Sequence, residues 1–209
     1  MRWPRRGLYA ITPDEPSTAR LLARVEPVLL AGAALVQYRN KCVDEGLALE
    51  QARALRDLCA HHGIPFIVND DVALAAAVQA DGVHLGSADT LIADARAQLG
   101  DGAIIGASCY NDLALARAAV AAGADYVAFG AFYPSGTKPA ARRAPLSLLQ
   151  DTAMLGVPRV AIGGITPANV GPLLQAGADL IAVIGGLFDN SDTGTAARSY
   201  ISRLEEFSA

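Results

Sequence analysis

The feature that most constrains this chain is an alternation repeated eight times. Short, nearly continuous apolar runs at 8–12, 33–37, 65–68, 82–85, 103–107, 126–130, 159–162 and 180–184 read as strands. Strands apolar on both faces suit a parallel sheet covered by helices. Between them, 17–30, 44–61 and 111–122 carry apolar residues at three- and four-residue spacing, and 71–79, 89–99, 146–155, 167–175 and 195–207 do so more weakly. Ser17, Asp44 and Pro167 stand where helices should start, and Gly32, Gly63, Gly123 and Gly177 where they should stop. A weak repeat supports the alternation: Ala-Gly-Ala-Ala-Leu-Val (31–36), Ala-Gly-Ala-Asp-Tyr-Val (122–127) and Ala-Gly-Ala-Asp-Leu-Ile (176–181) each read as helix end, tight turn and buried strand.

Eight such units in 209 residues predict a single (β/α)8 barrel spanning 1–209 as one domain. No Pro/Ser-rich linker divides the chain. The alternative, an open doubly wound sheet, lacks its usual Gly-x-Gly-x-x-Gly turn after the first strand. A hydrophobic content of 52% excludes disorder, and a net charge of −4 argues against a nucleic-acid binder. No apolar stretch is long enough to span a membrane, and the run at 8–12 is too short for a signal-peptide core. Cys42, Cys59 and Cys109 have neither disulfide-framework nor zinc spacing, which points to a reducing cytoplasm.

In a barrel, active groups follow the strand C-termini. After the second strand, Arg39 and Lys41 alternate and offer a guanidinium fork and a point charge to a phosphate. Only two of the 17 basic residues are lysines, Lys41 and Lys138. After the third strand come Asn69, Asp70 and Asp71. Asp71 is assigned to cap the next helix, which leaves Asn69 and Asp70 to explain. Asp89, beyond the fourth strand, reads singly as a helix cap; with Asp70 it could share a hard cation, and magnesium fits oxygen ligands that leave room for water and phosphate. His84 is expected to pack within or beside its strand. Ser108 follows the fifth strand and could donate to a ligand oxygen; Cys109, without a basic neighbour, is assigned a structural role. The loop after the sixth strand, 130–143, carries Ser135, Gly136, Thr137 and Lys138, chemistry that suits phosphate without being a Walker loop. Gly163–Gly164 and Gly185–Gly186 follow the seventh and eighth strands, where many barrels bind phosphate through backbone amides. Two anion sites follow, one cationic and metal-assisted, one of amides.

Tyr9-Ala-Ile-Thr12, Gln37-x-Arg39-x-Lys41, Asn69-Asp70-Asp71, Gly82-Val-His-Leu-Gly86 with Asp89, Pro134-Ser-Gly-Thr-Lys138 and Gly163-Gly-Ile-Thr166 together resemble the thiamine phosphate synthase family, in order and over nearly the whole chain. The resemblance implies a Mg²⁺-dependent barrel enzyme that joins hydroxymethylpyrimidine diphosphate to hydroxyethylthiazole phosphate, giving thiamine phosphate and pyrophosphate. By matching positions, Asp70 and Asp89 hold the metal. Gln37, Arg39, Lys41, Asn69, Ser108 and Lys138 contact the pyrimidine diphosphate, with Arg39, Lys41, Ser108 and Lys138 closest to the chemistry. Ser135, Thr137, Gly164, Ile184 and Gly185 contact the thiazole phosphate. Two positions depart from the family pattern: Ser135 replaces a frequent Thr and keeps the hydroxyl, and Gly185 replaces a frequent Ser and loses it. The rivals are a thiazole phosphate tautomerase, which need not keep the metal and diphosphate set, and a binding regulator without turnover. A sugar-phosphate isomerase would need an acid–base pair that is not evident. The expected partners are small molecules only, and a homo-oligomer is left open.

Overall fold

The computed structural model describes residues 6–134 and 142–207. Eight parallel strands close in chain order into one barrel. They are β1 (Gly7–Ile11), β2 (Leu35–Tyr38), β3 (Phe66–Asn69), β4 (Gly82–Leu85), β5 (Ile104–Tyr110), β6 (Tyr126–Phe129), β7 (Arg159–Ile162) and β8 (Leu180–Val183). The helices are α1 (Thr18–Leu30), α2 (Glu45–His61), α3 (Val72–Val78), α4 (Ile92–Leu99), α5 (Leu113–Ala121), α6 (Ser147–Asp151), α7 (Gly171–Gln175), α8 (Gly185–Phe188) and α9 (Thr193–Glu206). The expected barrel is therefore the observed fold. Among the described residues no helix is long and apolar enough to cross a membrane.

The strands sort their side chains with a period of two. Leu8 and Ala10, Phe66 and Val68, Ile181 and Val183 face the helices and form the outer core. Tyr9 and Ile11, Leu35, Ile67, Tyr126, Ala128, Val160, Leu180 and Ala182 face inward and fill the barrel. Carried to the C-terminal strand ends, that parity puts Gln37, Asn69, His84, Ser108, Ile162 and Ile184 on the inner side, where they line the mouth.

Local chemistry sets the helix limits. Ser17, Asp44 and Asp71 each accept a first-turn amide, from Arg20, Leu47 and Leu74 respectively. Gly32, Gly63, Gly123 and Gly177 end helices at φ of +103°, +68°, +98° and +98°, a region costly for any side chain. Three expected elements shift. The segment from Pro167 does not start a helix: Asn169 Oδ1 accepts from Thr166 N, forming a turn, and α7 begins at Gly171. Asp89 does not cap α4, whose N-cap is Leu91. β5 runs past 107 to Tyr110 because a register shift between Ser108 and Tyr110 absorbs an extra residue.

Glu15 anchors the β1–α1 connection at only 5% exposure. It accepts from Ser17 N and from the Arg20 guanidinium, and Arg24 lies 3.6 Å away. The Arg20 bond chiefly holds its carboxyl below its ordinary value of 4.5, against the opposing effect of burial. A lowered folded-state pKa stabilises above the unfolded value and is lost as pH falls through the folded one. Glu15→Gln is therefore expected to lower the thermal midpoint by a few degrees at pH 7. It should also flatten the acid limb of a midpoint-against-pH series, and an unchanged acid limb would reject this role.

Candidate active site

A basin of about 1190 Å³ opens at the C-terminal end of the barrel. Its wall includes Gln37, Arg39, Lys41, Asn69, Asp70, Asp89, Ser108, Gly164, Ile184 and Gly185. The structure thus brings together every expected site residue within the described segments. Ser135, Thr137 and Lys138 lie outside the described residues.

Arg39 is positioned from two sides. Buried Thr12 accepts from Arg39 N at 2.8 Å and donates to Arg39 O at 2.9 Å. Asp14 Oδ1 accepts from the Arg39 guanidinium at 3.1 Å and from Lys41 N at 2.8 Å. Lys41 Nζ lies 3.6 Å from Asp70 Oδ2. Both cations are thus aimed by carboxylates, with Arg39 the more buried of the two.

Asp70 holds a left-handed backbone at φ +64°, unusual for a side-chain-bearing residue, with its amide bonded to His84 O at 2.8 Å. Burial first, then hydrogen bonding and repulsion from Asp89, raise its carboxyl above its ordinary value of 3.8, and Lys41 opposes them. Asp89 is oriented by Gly86, whose amide donates to Asp89 Oδ2 at 2.6 Å; a Cβ at Gly86 would sit 2.9 Å from that oxygen. Two interacting carboxylates at neighbouring strand ends form a site that a cation would relieve. Among the described residues no cluster of three or more His, Cys, Asp or Glu could hold a metal. Two carboxylates plus ligand phosphate suit Mg²⁺, which keeps several waters, better than a cation needing a full protein cage.

The opposite wall is mainly backbone. Gly163 and Gly164 adopt φ of +101° and +62° where the β6 loop crosses them. A Cβ at Gly164 would lie 2.1 Å from Pro134 O, so glycine here serves a close chain approach as well as conformation. Gly185 opens the short helix α8, and the room a side chain would need there is taken by Asp189, whose Oδ2 would be 2.5 Å from a Cβ.

Several lining residues escape a reading of post-strand segments: Tyr9 and His84 lie within strands, and Asp189 caps the end of α8. Asp14, after the first strand, acts on the site through Arg39 and Lys41. Inward parity alone would have flagged Tyr9 and His84. His84 packs within its strand as expected; it faces the barrel interior and also bonds Ser108 Oγ at 2.9 Å and Tyr126 OH at 2.8 Å. Cys109 is structural as expected: burial pushes its thiol up to about 12, out of reach of thiolate chemistry at neutral pH.

A closed parallel barrel with paired cations, paired carboxylates and glycine turns around one mouth has the form of a barrel enzyme for small molecules. The pattern of the family described as thiamine monophosphate synthase matches residues 8–187, and the chain belongs to that family of transferases. It is 59% identical to the thiamine-phosphate synthase of Chromobacterium violaceum over 193 residues, 92% of this chain and 93% of that one. With the enzyme of the same name from Xanthomonas campestris it shares 57% over 195 residues, 93% of this chain and 94% of the other. The solved thiamine phosphate pyrophosphorylase from Pyrococcus furiosus superposes with a TM-score of 0.87 at 33% identity, covering 99% of this chain and 98% of that one.

Proposed function

We propose that the basin joins hydroxymethylpyrimidine diphosphate to hydroxyethylthiazole phosphate, releasing pyrophosphate and giving thiamine phosphate. The observation that supports this most is the single mouth shared by Arg39, Lys41, Asp70 and Asp89 on one side and Gly164, Ile184 and Gly185 on the other. One side suits a diphosphate, the other a monophosphate, and the reaction needs both at once.

In this reading the C–O bond to the diphosphate breaks with its electron pair going to the leaving pyrophosphate. The thiazole nitrogen then supplies the pair for the new C–N bond. No amino-acid nucleophile is required. Arg39 and Lys41, with Lys138 from the β6 loop, stabilise charge that grows as the bond breaks, so they act more on the transition state than on the bound substrate. Asp70 and Asp89 would hold Mg²⁺, which supplies further neutralisation of the leaving group when bound. Gln37, Asn69 and Ser108 orient the pyrimidine. Ser135, Thr137, Gly164, Ile184 and Gly185 hold the thiazole phosphate. The three free cysteines fit a cytoplasmic setting.

The test is turnover by the purified chain with both substrates and Mg²⁺. Thiamine phosphate should form, and omitting Mg²⁺ should suppress it. No product under conditions in which a known synthase works would reject the reading. Binding of thiazole phosphate without turnover would favour the regulator instead.

A further inference from the structure

Among the described residues three cations line the basin: Arg39, Lys41 and Arg142. The roles proposed above use the first two and leave out Arg142. Arg39 and Lys41 already meet carboxylates, Arg39 that of Asp14 and Lys41 that of Asp70. No described residue shares a hydrogen bond or an ion pair with Arg142, which is exposed. The next residue, Arg143, is exposed as well but does not line the basin.

The backbone near Arg142 is pinned far from the other two cations. Leaving β6, Phe132 N donates to Ile162 O at 3.2 Å and Tyr133 N to Gly163 O at 3.0 Å. Two residues past Arg142, Ala144 is buried and its amide donates to Ala131 O at 2.9 Å. Ala131 in turn packs on Gly163, where a Cβ would stand 2.4 Å from its own. Arg142 therefore belongs to the wall formed by the ends of β6 and β7. In a barrel closed in chain order, those strands lie opposite β2 and β3, whose ends carry Arg39, Lys41 and Asp70. The wall of Arg142 is the one that holds Gly164.

That wall is otherwise short of positive charge. Gly164, Ile184 and Gly185 offer no charged group, and the other charged side chain lining the β6–β8 side is the carboxylate of Asp189. A phosphate monoester brings a charge of about −1.5 to −2 at neutral pH. Backbone amides alone answer it with partial charges, beside a fixed anion. A guanidinium is always charged, and its planar fork matches phosphate oxygens two at a time. With no carboxylate among the described residues to leave first, Arg142 gives up no ion pair on taking a ligand. We propose that Arg142 is a binding residue for the monophosphate of the thiazole substrate and supplies the charge that the glycine wall lacks. The inference rests on the two-substrate reading above and adds a residue to it.

Steady-state kinetics of the wild type, Arg142→Ala, Arg142→Lys and Arg143→Ala, with each substrate varied in turn, test this. Arg142→Ala should raise KM for thiazole phosphate about tenfold, a change of about 1.4 kcal/mol, and leave KM for the pyrimidine diphosphate unchanged. Arg142→Lys keeps the charge without the fork and should recover part of the loss. Arg143→Ala should match the wild type. The thermal midpoint should not move in any of the three, because both arginines are exposed. An unchanged KM for thiazole phosphate, an equal rise for both substrates, or the same rise in Arg143→Ala would each overturn the proposal. Calorimetric titration with thiazole phosphate separates it from the function on which it rests. A wild type that binds thiazole phosphate without turnover would defeat the synthase reading. Binding about tenfold weaker in Arg142→Ala would still uphold the cation. Equal binding by the two proteins, or none by either, would overturn it.

Discussion

Asp70→Asn is expected to lower kcat/KM for thiamine phosphate formation by about 100-fold or more while leaving the thermal midpoint unchanged or higher. The two effects have separate causes. Asp70 is assigned to hold the cation on the leaving diphosphate, and losing one preorganised stabiliser of developing charge typically costs two to three orders of magnitude. For the fold, the sign is opposite. Burial and Asp89 both raise the Asp70 carboxyl, so the folded state prefers its protonated form. The cost of ionising it is absent at low pH and grows as pH rises through the folded-state range. An amide removes that cost at neutral pH. Mg²⁺ should raise the wild-type midpoint and have a smaller effect on the variant. Steady-state kinetics and a melting curve with and without Mg²⁺ check both halves. A parallel loss of activity and stability would mean that Asp70 is structural.

Gly106→Ala should be strongly damaging in the barrel interior. A Cβ at position 106 would stand 1.9 Å from Tyr126 Cζ and 2.3 Å from its hydroxyl oxygen. Tyr126 is fully buried and hydrogen-bonded to Tyr9 and His84, so it has no free direction in which to move. Overpacking on this scale costs about 3 kcal/mol. In a chain of this length that lowers the midpoint by roughly 6–12 °C. Activity should fall as well, since a displaced Tyr126 breaks the bond that orients His84 beside Ser108. Gly102→Ala provides the control, because no atom outside its chain neighbours lies within 4 Å of its Cβ position. Equal melting of the position-106 variant and the wild type would contradict the packing described.

Backbone periodicity carried most of the fold. The eight apolar runs became the eight strands, and glycines 32, 63, 123 and 177 became left-handed helix ends. The misplacements have local causes. The turn of Thr166 and Asn169 delays α7, because an Asn side chain competes for the amide that a helix would use. The four-residue α8 is too short to show a period, so Gly185–Gly186 read as a loop. Asp89 resembled a cap until the structure gave its carboxylate to Gly86 instead.

At the site, side chains that follow strands were legible: Arg39, Lys41, Asn69, Asp70, Asp89 and Ser108 all reach the basin. Asp14 was not, because its task is to aim Arg39 and Lys41, and that depends on contacts 25 to 27 residues away in sequence. Tyr126, and the bonds that His84 makes, were not legible for another reason. Their roles arise from side chains meeting across a closed barrel, between strands 42 residues apart in sequence.

The most direct test of the account is a crystal structure with Mg²⁺, pyrophosphate and thiamine phosphate bound. The account predicts Mg²⁺ between Asp70 and Asp89 and pyrophosphate against Arg39 and Lys41. It also predicts the thiamine phosphate phosphoryl group at Gly164 and Gly185, and the pyrimidine between Gln37 and Ser108. A metal held elsewhere, or both phosphate groups on the same side of the mouth, would contradict it.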